Sequence, residues 1–154
     1  MAFWARVGVT VVCAGLIGLE RQLRGKPAGI RTTILVCLGT MLFARLGVDS
    51  QDNRADPTRV LGQIVTGIGF LGGGLMLARD GHVKGVTSAA VIWIVAGIGV
   101  TIALEEFRAA VALTLVTLFV LVGVQRLERA FRSLRRGVHG PDLPVADHRV
   151  KDSE

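Results

Sequence analysis

A chain of 154 residues is long enough for one domain, but 51% apolar and only 19% charged residues make a poor match to a soluble domain of that size. A net charge of +6 would suggest nucleic acid in a soluble protein. Here the apolar residues fall into long blocks with the charges collected between them, which argues against a soluble nucleic-acid binder and for an all-α, polytopic transmembrane bundle.

Five blocks are predicted as spans, at residues 3–19, 32–48, 60–78, 86–104 and 109–124. Each has roughly 16 to 19 residues and, at about 1.5 Å per residue, reaches roughly 24 to 29 Å, close to a hydrocarbon core of about 30 Å. A soluble bundle would need a polar stripe on nearly every helix, and residues 34–43 and 86–100 carry none. The first block has the length of a signal-peptide core over residues 7–19. Only Arg6 precedes it, however, whereas Arg21, Arg24, Lys26 and Arg31 follow, the reverse of a secretory leader. Cys13 and Cys37 lie inside apolar runs and are expected to pack.

Residues 20–31 form the first connector, and the run from Gly25 through Pro27 to Gly29 predicts a tight turn. The second, at 49–59, is acidic, with Asp56 as an N-cap and Pro57 opening span three. Asp80 and Gly81 mark a third turn, after which Thr87 or Ser88 can cap span four. Only residues 105–108 part the last two blocks, so two spans and one bent helix both stay open. Residues 1–128 thus read as the transmembrane domain and 129–154 as a basic cytoplasmic flank with a disordered tail. Arginines 126, 129, 132, 135 and 136 fit either a helix lying on anionic headgroups or an ordinary cationic flank.

Cations concentrate in the first and third connectors and the C-terminal flank, which share one side of a five-span chain. By the positive-inside rule the N-terminus lies outside and the C-terminus in the cytoplasm.

Gly67, Gly69 and Gly72 spell the G-x-G-x-x-G of dinucleotide binders, but they sit in mid-span with no strand before them and no carboxylate between Gly81 and Leu104. In lipid, small residues instead let helices approach closely. Gly69 with Gly73, Gly62 with Thr66, Ala14 with Gly18, and Gly99 with Ala103 are such pairs, predicting a tight bundle or a homo-oligomer. The alternative use of Gly72, Gly73 and Gly74 is to break span three and expose backbone to a site.

Ionisable residues near spans are the other candidates. Arg6 and Arg45 are expected to snorkel. Glu20, Arg21 and Arg31 gather at the cytoplasmic ends of spans one and two, where Glu20 can pair with Arg24 or with Arg31 across the turn. No Asp or Glu falls near the middle of a span, which weakens direct Mg²⁺ transport. Gln63, Thr66, Thr40 and Thr114 are the deep polar groups. His82, His139 and His148 lie in a turn or the tail, outside any catalytic or metal-binding motif, so no enzymatic activity, metal or other cofactor is expected.

Three segments, residues 18–33 (GLERQLRGKPAGIRTT), 67–74 (GIGFLGGG) and 85–93 (GVTSAAVIW), resemble the MgtC/SapB family in content, order and spacing. The resemblance covers residues 5–128 and places Glu20, Arg21, Arg31, Thr32, Gly67, Gly69, Gly72, Thr87 and Trp93 in shared motifs. It implies a small bacterial inner-membrane protein of the kind produced in magnesium limitation and associated with survival inside host cells. By the same resemblance it binds and restrains a membrane partner such as the ATP synthase; an ion transporter or channel is the alternative. With only a short polar tail after Arg136, the chain looks like the SapB-like branch, without the soluble C-terminal domain of MgtC in the strict sense.

Overall fold

The computed structural model describes residues 3–49, 57–79, 82–124 and 126–127. Five helices carry the chain: α1 (Phe3–Leu23), α2 (Ile30–Asp49), α3 (Pro57–Leu75), α4 (Val86–Ala103) and α5 (Phe107–Phe119), the last running into a π-helical turn, Val120–Val124. Between α3 and α4 two short antiparallel strands, β1 (Leu77–Arg79) and β2 (His82–Lys84), pair Leu77 with Lys84 and Arg79 with His82.

Local chemistry explains each boundary. Helix α1 stops in a Schellman motif: Gly25, at φ 61°, donates its N–H to Gln22 O at 3.0 Å, and Lys26 donates to Arg21 O at 3.0 Å. The same motif ends α4, with Glu105 donating to Ile102 O and Glu106 to Thr101 O, but the left-handed residue is now a glutamate at φ 66°. That turn makes α4 and α5 two helices. At the start of α4, Gly85 has φ 95°, and a β-carbon there would lie 2.1 Å from Leu75 O. Only glycine fits.

Helix α4 touches all four others and supplies most of the core. It is apolar all round, and Val91, Ile92, Val95, Ile98 and Ile102 are buried. Two close crossings set the bundle. A β-carbon on Gly18 would fall 2.6 Å from Ile30 Cα, and one on Gly99 would fall 2.6 Å from Cys37 O, so α1–α2 and α4–α2 meet backbone to backbone. Helix α5 lies on α1 and α4, burying Ala110 and Thr114. Helix α3 packs on α4 through Ile68, Ile92 and Ala96 and meets α2 where Gly47 faces Val60.

Among the described residues, four helices are long and apolar enough to cross a membrane: Phe3–Leu23, Ile30–Asp49, Val86–Ala103 and Phe107–Val124. Trp4, Leu35, Phe70 and Phe119 stay exposed on the outer faces, as lipid contact requires. Helix α3, at 19 residues and carrying Arg59, Gln63 and six glycines, is not among those four.

Two expectations change and one open alternative closes. Helix α3 ends at Leu75, and the chain predicted as the end of span three forms β1. Gly72, Gly73 and Gly74 do not break the helix; they lie inside it, and Met76 N–H reaches Gly73 O at 3.0 Å. Neither Thr87 nor Ser88 caps α4, whose N-cap is Gly85 with no side-chain bond. Asp56, Asp80, Gly81 and the predicted tail at 129–154 lie outside the described residues.

Candidate functional site

Two polar clusters tie the helices together at opposite ends. At the end holding the α1–α2 turn, Arg21 is 2% exposed, and its Nη2 donates to Ser88 Oγ at 2.7 Å. This bond joins α1 to α4. Glu20 pairs with Arg24 one turn along α1, Nε to Oε1 2.5 Å, rather than with the exposed Arg31. No aligned hydrogen bond reaches Arg21 Nε or either Glu20 oxygen, so the pair is held by charge and burial. Buried Thr33 of α2 lies against Gly18, its hydroxyl donating to Gly29 O at 3.2 Å and Ile30 O at 3.1 Å.

At the other end Arg6 does not snorkel. It is buried, and its guanidinium donates to Glu105 in the α4–α5 turn. Arg45 of α2 lies 4.0 Å from the same carboxylate and pairs with Asp49 at 2.7 Å. The hydrogen bond from Arg6 holds the Glu105 carboxyl below the usual carboxylate range, helped by the charges of the amino terminus, Arg6 and Arg45. This cluster joins α1, α2 and the α4–α5 turn.

The deep hydroxyls are satisfied within their own helices. Thr40 donates to Val36 O, Thr114 to Ala110 O at 2.8 Å and Thr10 to Arg6 O at 2.8 Å.

Helix α3 presents three different faces. Toward α4, Gly72 is buried against Ala89, 3.7 Å from where its β-carbon would stand. Toward α2, Gln63 and Gly67 wall an apolar groove of about 550 Å³. Away from both, Gly62, Thr66, Gly69 and Gly73 fall at spacings of four, three and four, on one stripe of the helix. All four are exposed, a β-carbon on any of the three glycines would meet nothing within 4 Å, and Thr66 donates to Gly62 O at 3.0 Å. Trp93 lies exposed at a smaller groove of about 250 Å³ between α3 and α4. Thr32 and Thr87 are exposed in the first turns of α2 and α4.

The predicted site residues therefore do not converge on one centre. Glu20 and Arg21 share a cluster, Gln63 and Gly67 a groove, and Thr66, Gly69 and Gly73 a face. Sequence reasoning offered Ser88 only a capping role and missed the pairing of Arg6 with Glu105. Among the described residues no group of three His, Cys, Asp or Glu side chains could hold a metal ion.

Comparison with known proteins adds the family. The MgtC family model matches residues 7–130. A protein of Escherichia coli named "Putative magnesium transporter YhiD" is 38% identical over 144 residues, covering 89% of this chain and 66% of the relative. MgtC of Salmonella typhimurium is 40% identical over 108 residues, 70% of this chain and 46% of the relative. MgtC of Brucella abortus is 34% identical over 151 residues, 92% of this chain and 63% of the relative. The aligned chain thus spans from under half to about two thirds of the length of these curated relatives. No solved structure matches it.

Proposed function

The chain belongs to the MgtC family, and from that premise we propose that it is a multi-pass inner-membrane protein that restrains a membrane partner during adaptation to magnesium limitation or acid stress. The resemblance points to the ATP synthase or a transport system as the partner. The reading assigns the chain no enzymatic step and no cofactor.

The observation that carries the proposal is the outward stripe of α3. Two other glycines of the bundle are used up in close crossings, Gly18 against Ile30 and Gly99 against Cys37. The stripe of Gly62, Thr66, Gly69 and Gly73 has the same chemistry with open space before its glycines. Lipid provides no hydrophobic drive for association, so a face of small residues favours the close approach of another transmembrane helix. That helix belongs to the partner, or to a second copy of the chain.

The test is ATP-driven proton pumping by inverted membrane vesicles with and without the protein. Wild-type chain lowers pumping, and Gly69→Leu with Gly73→Leu, which fills the stripe without touching the bundle, restores it. Equal pumping in all three preparations sinks the ATP synthase reading. Magnesium transport, the activity in the printed name of the Escherichia coli relative, predicts saturable Mg²⁺ flux into sealed vesicles holding only this protein. Such flux would replace the proposal.

A further inference from the structure

The groove between α2 and α3 is separate from the partner face and has its own chemistry. Its α2 wall includes Leu35, Gly39 and Phe43, successive members of one i, i+4 ridge. Arg31 begins that ridge one turn before Leu35. It is exposed and, among the described residues, forms no ion pair or hydrogen bond. Thr32, also exposed, opens the neighbouring ridge that continues through Val36 and Thr40 into the same wall.

We propose that this groove binds an anionic phospholipid, with an acyl chain along Leu35, Gly39 and Phe43 and the headgroup phosphate on Arg31 and Thr32.

Length and charge select this occupant. From Arg31 to Phe43 the ridge runs about 18 Å, close to the half-thickness of about 15 Å that one leaflet's chains span plus the step to the headgroup. At the mouth, a guanidinium and a hydroxyl match a phosphodiester, and one cation at an anionic surface strengthens binding about fivefold.

Native mass spectrometry of the full chain, titrated in detergent with phosphatidylglycerol or phosphatidylcholine, tests the assignment. Wild type retains phosphatidylglycerol about fivefold over phosphatidylcholine. Arg31→Gln loses that preference and keeps chain binding. Gly67→Phe fills the groove from α3, where a β-carbon meets nothing within 4 Å, and loses both adducts. Gly39→Leu does the same from α2, so misfolding of one variant leaves the other as the test. Gly69→Phe, on the outward stripe, keeps both adducts. The proposal fails if wild type shows no headgroup preference, or if filling the groove leaves the adducts unchanged. It also fails if inorganic phosphate abolishes the preference, or if filling the groove instead dissociates a dimer, which would make the occupant a second copy.

Discussion

Arg6 and Glu105 stand 99 positions apart and close the bundle at one end, the buried guanidinium of α1 holding the carboxylate of the α4–α5 turn. Glu105 does this from a left-handed backbone conformation, φ 66°, that costs a side-chain-bearing residue about 1–2 kcal/mol. A glycine would relieve that cost and forfeit the contact. The ion pair is therefore the reason a glutamate occupies a glycine position.

The pairing makes stability depend on acid. Glu105 titrates below its ordinary value of 4.5 in the folded protein, first through the Arg6 hydrogen bond. A carboxyl lowered by folding stabilises the fold above its unfolded value, and that stabilisation is lost as pH falls through the folded value. Glu105→Gln should have the lower Tm at about pH 7, and the two proteins should converge as pH falls below the folded value. Parallel Tm profiles across that range would show that the ion pair contributes nothing.

Ser88 should be the weak point of the opposite end. It supplies the hydrogen bond to a guanidinium that is almost wholly buried, so Ser88→Ala removes a partner from a charge that cannot reach water. The expected loss is about 1–3 kcal/mol in detergent-denaturation experiments. An unchanged unfolding midpoint would show that water or lipid replaces the hydroxyl.

Two glycines of α4 should respond in opposite senses to the same substitution. Gly99→Ala drives a methyl to 2.6 Å from Cys37 O and 3.1 Å from Met41 N, both backbone atoms of α2. Overpacking of this kind costs about 1–3 kcal/mol. Gly97→Ala meets nothing within 4 Å and gains about 0.5–1 kcal/mol from helix propensity. Equal effects at the two sites would mean that α2 and α4 do not cross as closely as described.

The legible features of this chain were those set by short stretches of sequence. Apolar block length announced the helices, Gly25 and Pro27 the first turn, and Pro57 the start of α3. Two of the four small pairs, Ala14 with Gly18 and Gly99 with Ala103, pack as expected in the bundle. The pairs on α3 face outward, because nothing in a residue's identity says which side of a helix another helix will cover. Likewise the partners of Arg6 and Arg21 lie 99 and 67 positions away and appear only once the helices are in place. Sequence left two uses open for the glycines at 72–74, and the packing one holds: α3 docks on α4 through Ile68 and the contact of Gly72 with Ala89, and packing outweighs low helix propensity.

The ion pairs also sharpen the expected orientation. Arg6 and Arg45 are paired with Glu105 and Asp49 at their end of the bundle, and among the described residues Arg59 and Arg108 are its exposed cations outside those pairs. The opposite end exposes Lys26, Arg31, Lys84 and Arg126. The cation excess at this end favours holding the α1–α2 turn in the cytoplasm. A fluorescent protein fused after Glu154 should therefore light up, and alkaline phosphatase fused at the same point should be inactive. Active phosphatase would invert the bundle and put the Glu20–Arg21 cluster on the outer side. Replacing Lys26, Arg31 and Lys84 together with glutamine should yield a mixture of both orientations, since they are three of the four cations exposed on that side among the described residues.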